Sequence, residues 1–120
     1  MKKILVVDDD PDILEVVNLV LTSEGYVAEG TTKGDDAYHK ISENKPDLIV
    51  LDVLLSGNDG RTICKSLKQD DTTKNIPVIM MSAHPNAQES VKACGADSFI
   101  TKPFSVDDLL NTVSSYIGEA

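Results

Sequence analysis

Short aliphatic runs alternate along this chain with segments whose apolar residues recur every three or four positions. An aliphatic run bounded by polar residues is typical of a strand buried on both faces, and the longer spacing is typical of an amphipathic helix. The runs predict five strands, at Lys3 to Val7, Tyr26 to Gly30, "DLIVLD", "IPVIMMS" and "SFIT". The intervening patterns predict helices after Asp10, at about Thr32 to Glu43, Arg61 to Lys68 and Asn86 to Cys94, and after Ser105.

Local signals mark the ends of two of these helices. Asp10 before Pro11 is a helix cap followed by a first-turn proline, and Gly25 stands where a glycine ends the same helix. Ser105, with Asp108 three residues later, forms a capping box at the start of the last helix. The segment "SGNDG" has the composition of a loop.

Five strand and helix units in alternation predict an α/β fold. Strands rich in Ile, Val and Leu favour a parallel sheet covered on both faces, and right-handed crossovers lead to a doubly wound sandwich. The expected fold is a five-stranded parallel sheet, (βα)5 and flavodoxin-like, with strand order 2-1-3-4-5. In such sheets ligands bind beyond the carboxyl ends of the strands.

Polar side chains stand at those carboxyl ends. Asp8 and Asp9 follow the first strand, Asp52 ends the third, Ser82 ends the fourth and Lys102 follows the fifth. Because parallel strands end at the same edge of a sheet, we expect three carboxylates, a hydroxyl and an ammonium to converge there.

Such crowding of negative charge favours a bound cation. Two unit charges about 4 Å apart repel by about 4 kcal/mol at an effective dielectric near 20. Hard oxygen ligands favour Mg²⁺, with Mn²⁺ as a substitute. Asp52 could serve as a ligand or as a nucleophile that forms an aspartyl phosphate. The Lys102 ammonium and the Ser82 hydroxyl suit the remaining oxygens of a phosphoryl group, and Pro103 holds the residue before it extended.

Four motifs resemble, in order and spacing, those of response-regulator receiver domains of two-component signalling. They are "VVDDDPD", "DLIVLDVLLSGNDG", "IPVIMMSA" and "SFITKPF", and the resemblance covers the whole chain, 1–120, as a single receiver domain. It implies that Asp52 is the phosphoacceptor. It also implies that Asp8, Asp9, Asp52 and the backbone carbonyl of Leu54 hold Mg²⁺.

The resemblance assigns further roles. Lys102 would contact the phosphoryl group, Ser82 would move toward it as the switch hydroxyl, and Phe99 would turn inward in response. The Lys102–Pro103 peptide bond would be cis. Leu54 and His84 match the two positions that tune loss of the phosphoryl group in the family.

The chain departs from the family pattern at two places. Leu55 and Ser56 stand where the family commonly has Met-Pro, so the loop after Asp52 lacks a rigid proline. Phe99 has no hydroxyl, which excludes a switch that bonds outward through a tyrosine.

The implied function is that of a phosphoacceptor module in a two-component phosphorelay. A sensor histidine kinase or a histidine phosphotransfer protein would supply the phosphoryl group, and a downstream protein would bind the last two helices and last strand. The domain would be a regulator rather than an enzyme, although it would catalyse its own phosphorylation and a slow autodephosphorylation. No output domain is expected after Ile117, and a phosphorylation-dependent dimer is left open.

Charge and cysteine content narrow the class of partner. Eleven basic and twenty acidic residues give a net charge of −9, which disfavours direct binding to nucleic acid or to an anionic membrane. The apolar stretch of "MKKILVVDDD" is too short for a secretion signal and no run could span a membrane, so a cytoplasmic location is expected. Cys64 and Cys94 lack CxxC spacing and are expected as buried thiols rather than a disulfide or metal site.

Three alternatives can be weighed from the residues. A phosphatase similar to the haloacid dehalogenases would use Asp8 and Asp10 as its D-x-D pair, with Lys102 and the acidic pair Asp107-Asp108, but this leaves Asp52 unexplained. A flavin-binding protein should carry Ser, Thr and Gly where this chain has "DDDPD", because backbone amides face the phosphate there. A degenerate, binding-only receiver is disfavoured by the complete residue set.

Overall fold

Strands and helices alternate along residues 2–55, 58–83 and 87–119, which are the residues that the computed structural model describes. The longer strands are β1 (Lys3–Val7), β2 (Val27–Thr31), β3 (Leu48–Asp52), β6 (Val78–Ser82) and β7 (Ser98–Thr101). The helices are α1 (Pro11–Ser23), α2 (Gly34–Asn44), α3 (Gly60–Gln69), α4 (Ala87–Ala93) and α5 (Val106–Ile117). Two-residue strands, β4 (Leu54–Leu55) and β5 (Asn58–Asp59), pair antiparallel with each other.

The five longer strands form one parallel sheet in the order β2-β1-β3-β6-β7. β6 and β7 are the fourth and fifth strands of this sheet, so the predicted order 2-1-3-4-5 is confirmed. The register pairs Val7 with Leu51, Asp52 with Met81, and Ser82 with Thr101. The carboxyl ends of the central strands therefore lie side by side.

Two apolar layers cover the sheet. One layer joins α2, α3 and α4 to one face through residues such as Ile41, Leu67 and Val91, and the other joins α1 and α5 through Val17, Leu21 and Leu109. All five positions of β3 and of β6 are buried, which explains why these strands are continuously apolar instead of alternating. The polar residues Asp52 and Ser82 end these two strands, where the chain leaves the core.

The predicted helix caps at Asp10 and Ser105 are confirmed. The Asp12 backbone N–H donates to Asp10 at 2.9 Å, and the Asp108 N–H donates to the Ser105 hydroxyl at 3.0 Å. A third cap was not predicted: Asp59 accepts from the Arg61 N–H at 2.9 Å, so α3 begins at Gly60. Gly25 ends α1 with a φ of 97°, a conformation that favours glycine.

The second strand begins one residue later than predicted, because Tyr26 closes α1. Its backbone N–H donates to the Leu21 carbonyl at 3.1 Å, and its hydroxyl donates to the Gly118 carbonyl at 2.7 Å. The aromatic ring is buried in the layer beneath α1 and α5. Tyr26 thus ties the end of the first helix to the end of the last one.

The two cysteines are free and buried, as expected. The Cys64 thiol, on α3, donates to the Cys94 carbonyl at 3.6 Å. Burial, together with the neighbouring Cys94, raises the pKa of the Cys64 thiol. Among the described helices, none is both long enough and apolar enough to cross a bilayer.

Candidate functional site

Three carboxylates meet at the carboxyl edge of the sheet. Asp8, Asp9 and Asp52 each offer one oxygen, and these oxygens all lie within 4.8 Å of one another. Asp8 is fully buried, Asp52 is 6% exposed, and Asp9 is half-buried. The sheet produces this arrangement because Val7 and Leu51 are paired in register, so Asp8 and Asp52 follow at adjacent positions.

Lys102 reaches this cluster from the last strand of the sheet. Its Nζ lies 2.8 Å from Asp8 Oδ2 and 3.4 Å from Asp52 Oδ1. The Lys102 backbone N–H donates to the Ser82 carbonyl at 2.9 Å, and the Lys102–Pro103 peptide bond is cis. If all three carboxylates are ionised, this one ammonium leaves two negative charges uncompensated, which is the condition that attracts a divalent cation.

The pKa values in the cluster follow from burial and charge. Burial raises the pKa of Asp52 to about 6, and the negative charge of Asp8 adds to the effect while Lys102 opposes it. For Lys102, burial lowers the pKa, but the hydrogen bond that its ammonium donates to Asp8 and the charge of Asp52 outweigh this effect, so the pKa is raised overall. Lys102 therefore stays protonated, whereas the ionised form of Asp52 is destabilised by its surroundings.

The Asp8 carboxylate is held from two sides. Its Oδ1 accepts from the Asp10 backbone N–H at 2.9 Å, and its Oδ2 accepts from Lys102. The Asp8 N–H donates to the Thr31 carbonyl of β2 at 3.2 Å. Both oxygens of the Asp8 carboxylate are therefore hydrogen-bonded, which holds the group in place beside Asp52.

The other predicted residues differ in burial. Ser82 is 2% exposed and ends β6 beside Thr101. Phe99 is half-buried and packs against the layer of α2, α3 and α4, opposite Met80 in register. Leu54 is 52% exposed, two residues after Asp52. His84 and Ser56 lie outside the described residues.

The path of the chain after Asp52 was not predicted from the sequence. The Val53 N–H donates to the Met81 carbonyl at 2.9 Å, and the Gly60 N–H donates to the Val53 carbonyl at 2.7 Å. Gly60 therefore lies directly against the phosphoacceptor predicted by the resemblance. The loop composition of "SGNDG", which includes the turn dipeptide Asp59-Gly60, indicated a change of chain direction here but not the contact with Asp52.

The sheet order and the acidic edge agree with a comparison to known protein families. The model of the response regulator receiver domain matches residues 4–114. The chain belongs to the response regulator receiver domain family. The resemblance seen in the four motifs is thereby confirmed, and with it a place in two-component signal transduction.

Two curated relatives and one solved structure illustrate what this receiver domain is similar to. It is 36% identical over 119 residues to the DNA-binding dual master transcriptional regulator RpaA of Synechocystis sp., covering 98% of this chain and 49% of that protein. It is 37% identical over 116 residues to the phosphate regulon transcriptional regulatory protein PhoB of Escherichia coli, covering 95% and 51%. The chain thus spans about half the length of these relatives. The crystal structure of chemotaxis protein CheY4 of Vibrio cholerae superposes with a TM-score of 0.90 at 30% identity, covering 97% of this chain and 98% of that one.

Proposed function

We propose that this receiver domain accepts a phosphoryl group on Asp52 from a phosphohistidine of a sensor histidine kinase or a histidine phosphotransfer protein. The main support is the cluster of Asp8, Asp9 and Asp52, whose carboxylate oxygens lie within 4.8 Å of one another. The Lys102 ammonium contacts two of these carboxylates. This cluster offers a nucleophile, ligands for a cation and a positive group for phosphoryl oxygens in one place. On this proposal, residues 1–120 form a single receiver domain.

The donor set fits Mg²⁺. Three carboxylate oxygens lie within 4.8 Å of one another at the carboxyl edge of the sheet. Mg²⁺ prefers hard oxygen ligands and keeps several positions for water and phosphate oxygens. Asp8, Asp9, Asp52 and the Leu54 carbonyl would hold the ion, and Mn²⁺ would satisfy the same ligands. When bound, the ion neutralises charge that develops on the phosphoryl oxygens.

Asp52 is the nucleophile in this proposal. One of its oxygens forms a bond to phosphorus while the phosphorus–nitrogen bond of the donor breaks, and the imidazole nitrogen leaves with the electron pair. Asp52 must be ionised to attack, and with a pKa of about 6 it is mostly ionised at neutral pH. The raised pKa reflects a carboxylate that is poorly solvated, and poor solvation favours attack.

Lys102 and Ser82 would bind the product. The new phosphoryl oxygens offer Lys102 a stronger partner than the Asp52 carboxylate that it faces at 3.4 Å. Ser82, at the end of the adjoining strand, would donate its hydroxyl to another phosphoryl oxygen. Each modification replaces one negative charge by roughly 1.5 to 2, which is enough to bias a packing equilibrium near the site.

The response would pass from Ser82 and Phe99 to the face of β7, α4 and α5. Phe99 is half-buried against the layer beneath α4, so a small shift of its ring changes the surface beside α4. We propose that a downstream protein binds this face. Phosphorylation-dependent dimerisation is the alternative. The net charge of −9 makes direct contact between this domain and nucleic acid unfavourable.

A phosphatase centred on Asp8 has less support. Asp10, which would serve as its general acid, accepts the Asp12 N–H and caps α1. The Asp8 carboxylate is bonded on one side to the Asp10 N–H and on the other to Lys102, which leaves it poorly placed for attack.

The mass of the intact protein after incubation with acetyl phosphate and Mg²⁺ tests the proposal. Wild type and Asp52→Asn would be compared side by side, with a parallel sample in a metal chelator. We expect one added phosphoryl group in the wild type with Mg²⁺, and none in Asp52→Asn or with the chelator. Labelling that persists in Asp52→Asn would move the acceptor to another residue, Asp8 first. The proposal would be overturned if neither acetyl phosphate nor phosphorylated histidine kinases labelled the wild-type protein.

A further inference from the structure

Gly60, the first residue of α3, lies against the backbone of Asp52. A methyl group at Gly60 would overlap the Asp52 carbonyl oxygen, and it would lie 3.0 Å from the Asp52 carbonyl carbon and 3.1 Å from the Val53 carbonyl oxygen. All three atoms are backbone, so the neighbour cannot turn aside as a side chain would. The contact is between two main chains with no room for a Cβ atom.

This requirement is one of space rather than of backbone conformation. Among the described residues, the glycines with positive φ are Gly25, Gly95 and Gly118, and Gly60 is not one of them. Alanine could therefore adopt the local conformation of Gly60, but its methyl group would push the peptide after Asp52 away.

Hydrogen bonds fix the backbone of Val53 from both sides. The Gly60 N–H donates to the Val53 carbonyl at 2.7 Å, and the Val53 N–H donates to the Met81 carbonyl of β6 at 2.9 Å. The backbone of Val53, the residue directly after Asp52, is thus held between the sheet and the first residue of α3. Its orientation sets the direction of the Asp52 side chain and the path to the Leu54 carbonyl.

Gly60 is itself held by its neighbours. Asp59 caps the Arg61 N–H at 2.9 Å, and the Arg61 guanidinium donates to both Asp59 oxygens, at 2.9 Å from Nε and 2.6 Å from its terminal nitrogen. The other terminal nitrogen of Arg61 donates to the Ser90 hydroxyl of α4 at 3.1 Å. These contacts hold the start of α3 in place next to the Asp52 backbone.

We propose that Gly60 is a positioning residue for phosphoryl transfer, acting through the backbone of Asp52. Because Gly60 has no side chain, α3 can pack directly against the Asp52–Val53 peptide. This contact holds the peptide in the orientation in which the acceptor carboxylate and the Leu54 carbonyl both face one cation. The inference rests on the proposed function for its chemistry, and on the contacts of Gly60 for its geometry.

Gly60→Ala and Gly30→Ala form a matched pair for the test. A methyl group at Gly30 is also crowded, at 2.6 Å from Leu14 Cδ1 and 2.8 Å from Asn18 Nδ2, but it meets side chains of α1 and not the backbone of Asp52. Both variants would be measured for Mg²⁺ affinity by calorimetry, for phosphorylation by acetyl phosphate over a range of donor concentrations, and for unfolding in urea.

We expect Gly60→Ala to weaken Mg²⁺ binding and to lower the maximal phosphorylation rate by about tenfold or more each, as changes in residues that orient metal ligands do. Gly30→Ala should lose stability only. Equal Mg²⁺ affinities and equal maximal rates in the two variants would overturn the role of Gly60.

A second pair covers the case in which Gly60→Ala does not fold. Asp59→Ala leaves Gly60 in place and removes the cap and the ion pair that anchor it, whereas Ser105→Ala removes a comparable cap from α5, which contributes no residue to the carboxylate cluster. Weaker Mg²⁺ binding in Asp59→Ala alone would support the inference, and unchanged binding in both would overturn it. A wild type that binds Mg²⁺ but takes no phosphoryl group would defeat the proposed function, while the Mg²⁺ affinities would still decide the role of Gly60.

Discussion

The Lys102 ammonium donates to the Asp8 carboxylate at 2.8 Å, across the 94 residues that separate them in sequence. The pair is well buried, because the Lys102 side chain is 14% exposed and that of Asp8 is not exposed. Removing one partner of a buried pair leaves the other charge uncompensated, which is more costly than losing an exposed ion pair.

Lys102→Met should therefore destabilise the metal-free protein by about 3 kcal/mol, and Mg²⁺ should restore much of that loss. The same change should tighten Mg²⁺ binding, because the ammonium no longer competes for Asp8. Urea unfolding with and without Mg²⁺ measures both effects. Lys68→Met is the control, since Lys68 pairs with Asp97 at 2.7 Å, a residue outside the carboxylate cluster. An equal response of the two variants to Mg²⁺ would contradict the prediction.

Asp52→Asn should stabilise the metal-free protein. The pKa of Asp52 is raised from 3.8 to about 6 in the folded state, so above pH 6 its ionised form costs at most about 3 kcal/mol of stability. Between these two values the folded protein binds the proton more tightly than the unfolded chain, and the cost disappears as the pH falls. The stability difference between Asp52→Asn and wild type should thus be largest near pH 7 and shrink toward pH 4. A difference that stays constant across this range would contradict the assigned cause.

The rate of phosphorylation should follow the ionisation of the same carboxylate. At low Mg²⁺ concentration we expect the initial rate with acetyl phosphate to fall as the pH drops through about 6, where Asp52 becomes protonated. Saturating Mg²⁺ should move this midpoint to lower pH, because a bound cation favours the charged form. Initial rates from intact mass at several pH values provide the measurement. A midpoint that does not move with Mg²⁺ would argue against direct contact between the ion and Asp52.

Leu54→Asn should shorten the lifetime of the phosphorylated protein several-fold. The Leu54 side chain is 52% exposed and apolar, so it cannot orient a water molecule for attack on phosphorus, whereas an amide can. The loss of the added mass over time, after the donor is removed, gives the lifetime. Val106→Asn is a suitable control because Val106 is 51% exposed on α5. If the two variants keep the phosphoryl group equally long, Leu54 has no part in its loss.

The sequence predicted those parts of the site that depend on strand register. Asp8 and Asp52 could be placed together because both directly follow buried aliphatic runs, and neighbouring parallel strands end at one edge. Lys102 could be assigned to the same edge, but its contact with Asp8 depends on side-chain geometry that no periodicity encodes.

The segment after Asp52 could not be predicted. Its path depends on the hydrogen bond from Val53 to Met81, two residues that are distant in sequence. It also depends on the close backbone contact between Gly60 and Asp52, which no pattern of side chains encodes. The boundary at Tyr26 was wrong for a similar reason. Its hydroxyl bonds to Gly118, 92 residues away, and that tertiary contact outweighs the aromatic preference for strands.

Because both native cysteines are buried, a cysteine introduced on the surface can be labelled selectively. Cys64 and Cys94 are the two cysteines of the chain, they are 0% and 7% exposed, and the raised pKa of Cys64 keeps its thiolate scarce. A cysteine introduced at exposed Tyr116 on α5 would react with a maleimide far faster than either native thiol. A fluorophore or spin label placed there would report the response of α5 to phosphorylation in real time, with both native cysteines left unchanged.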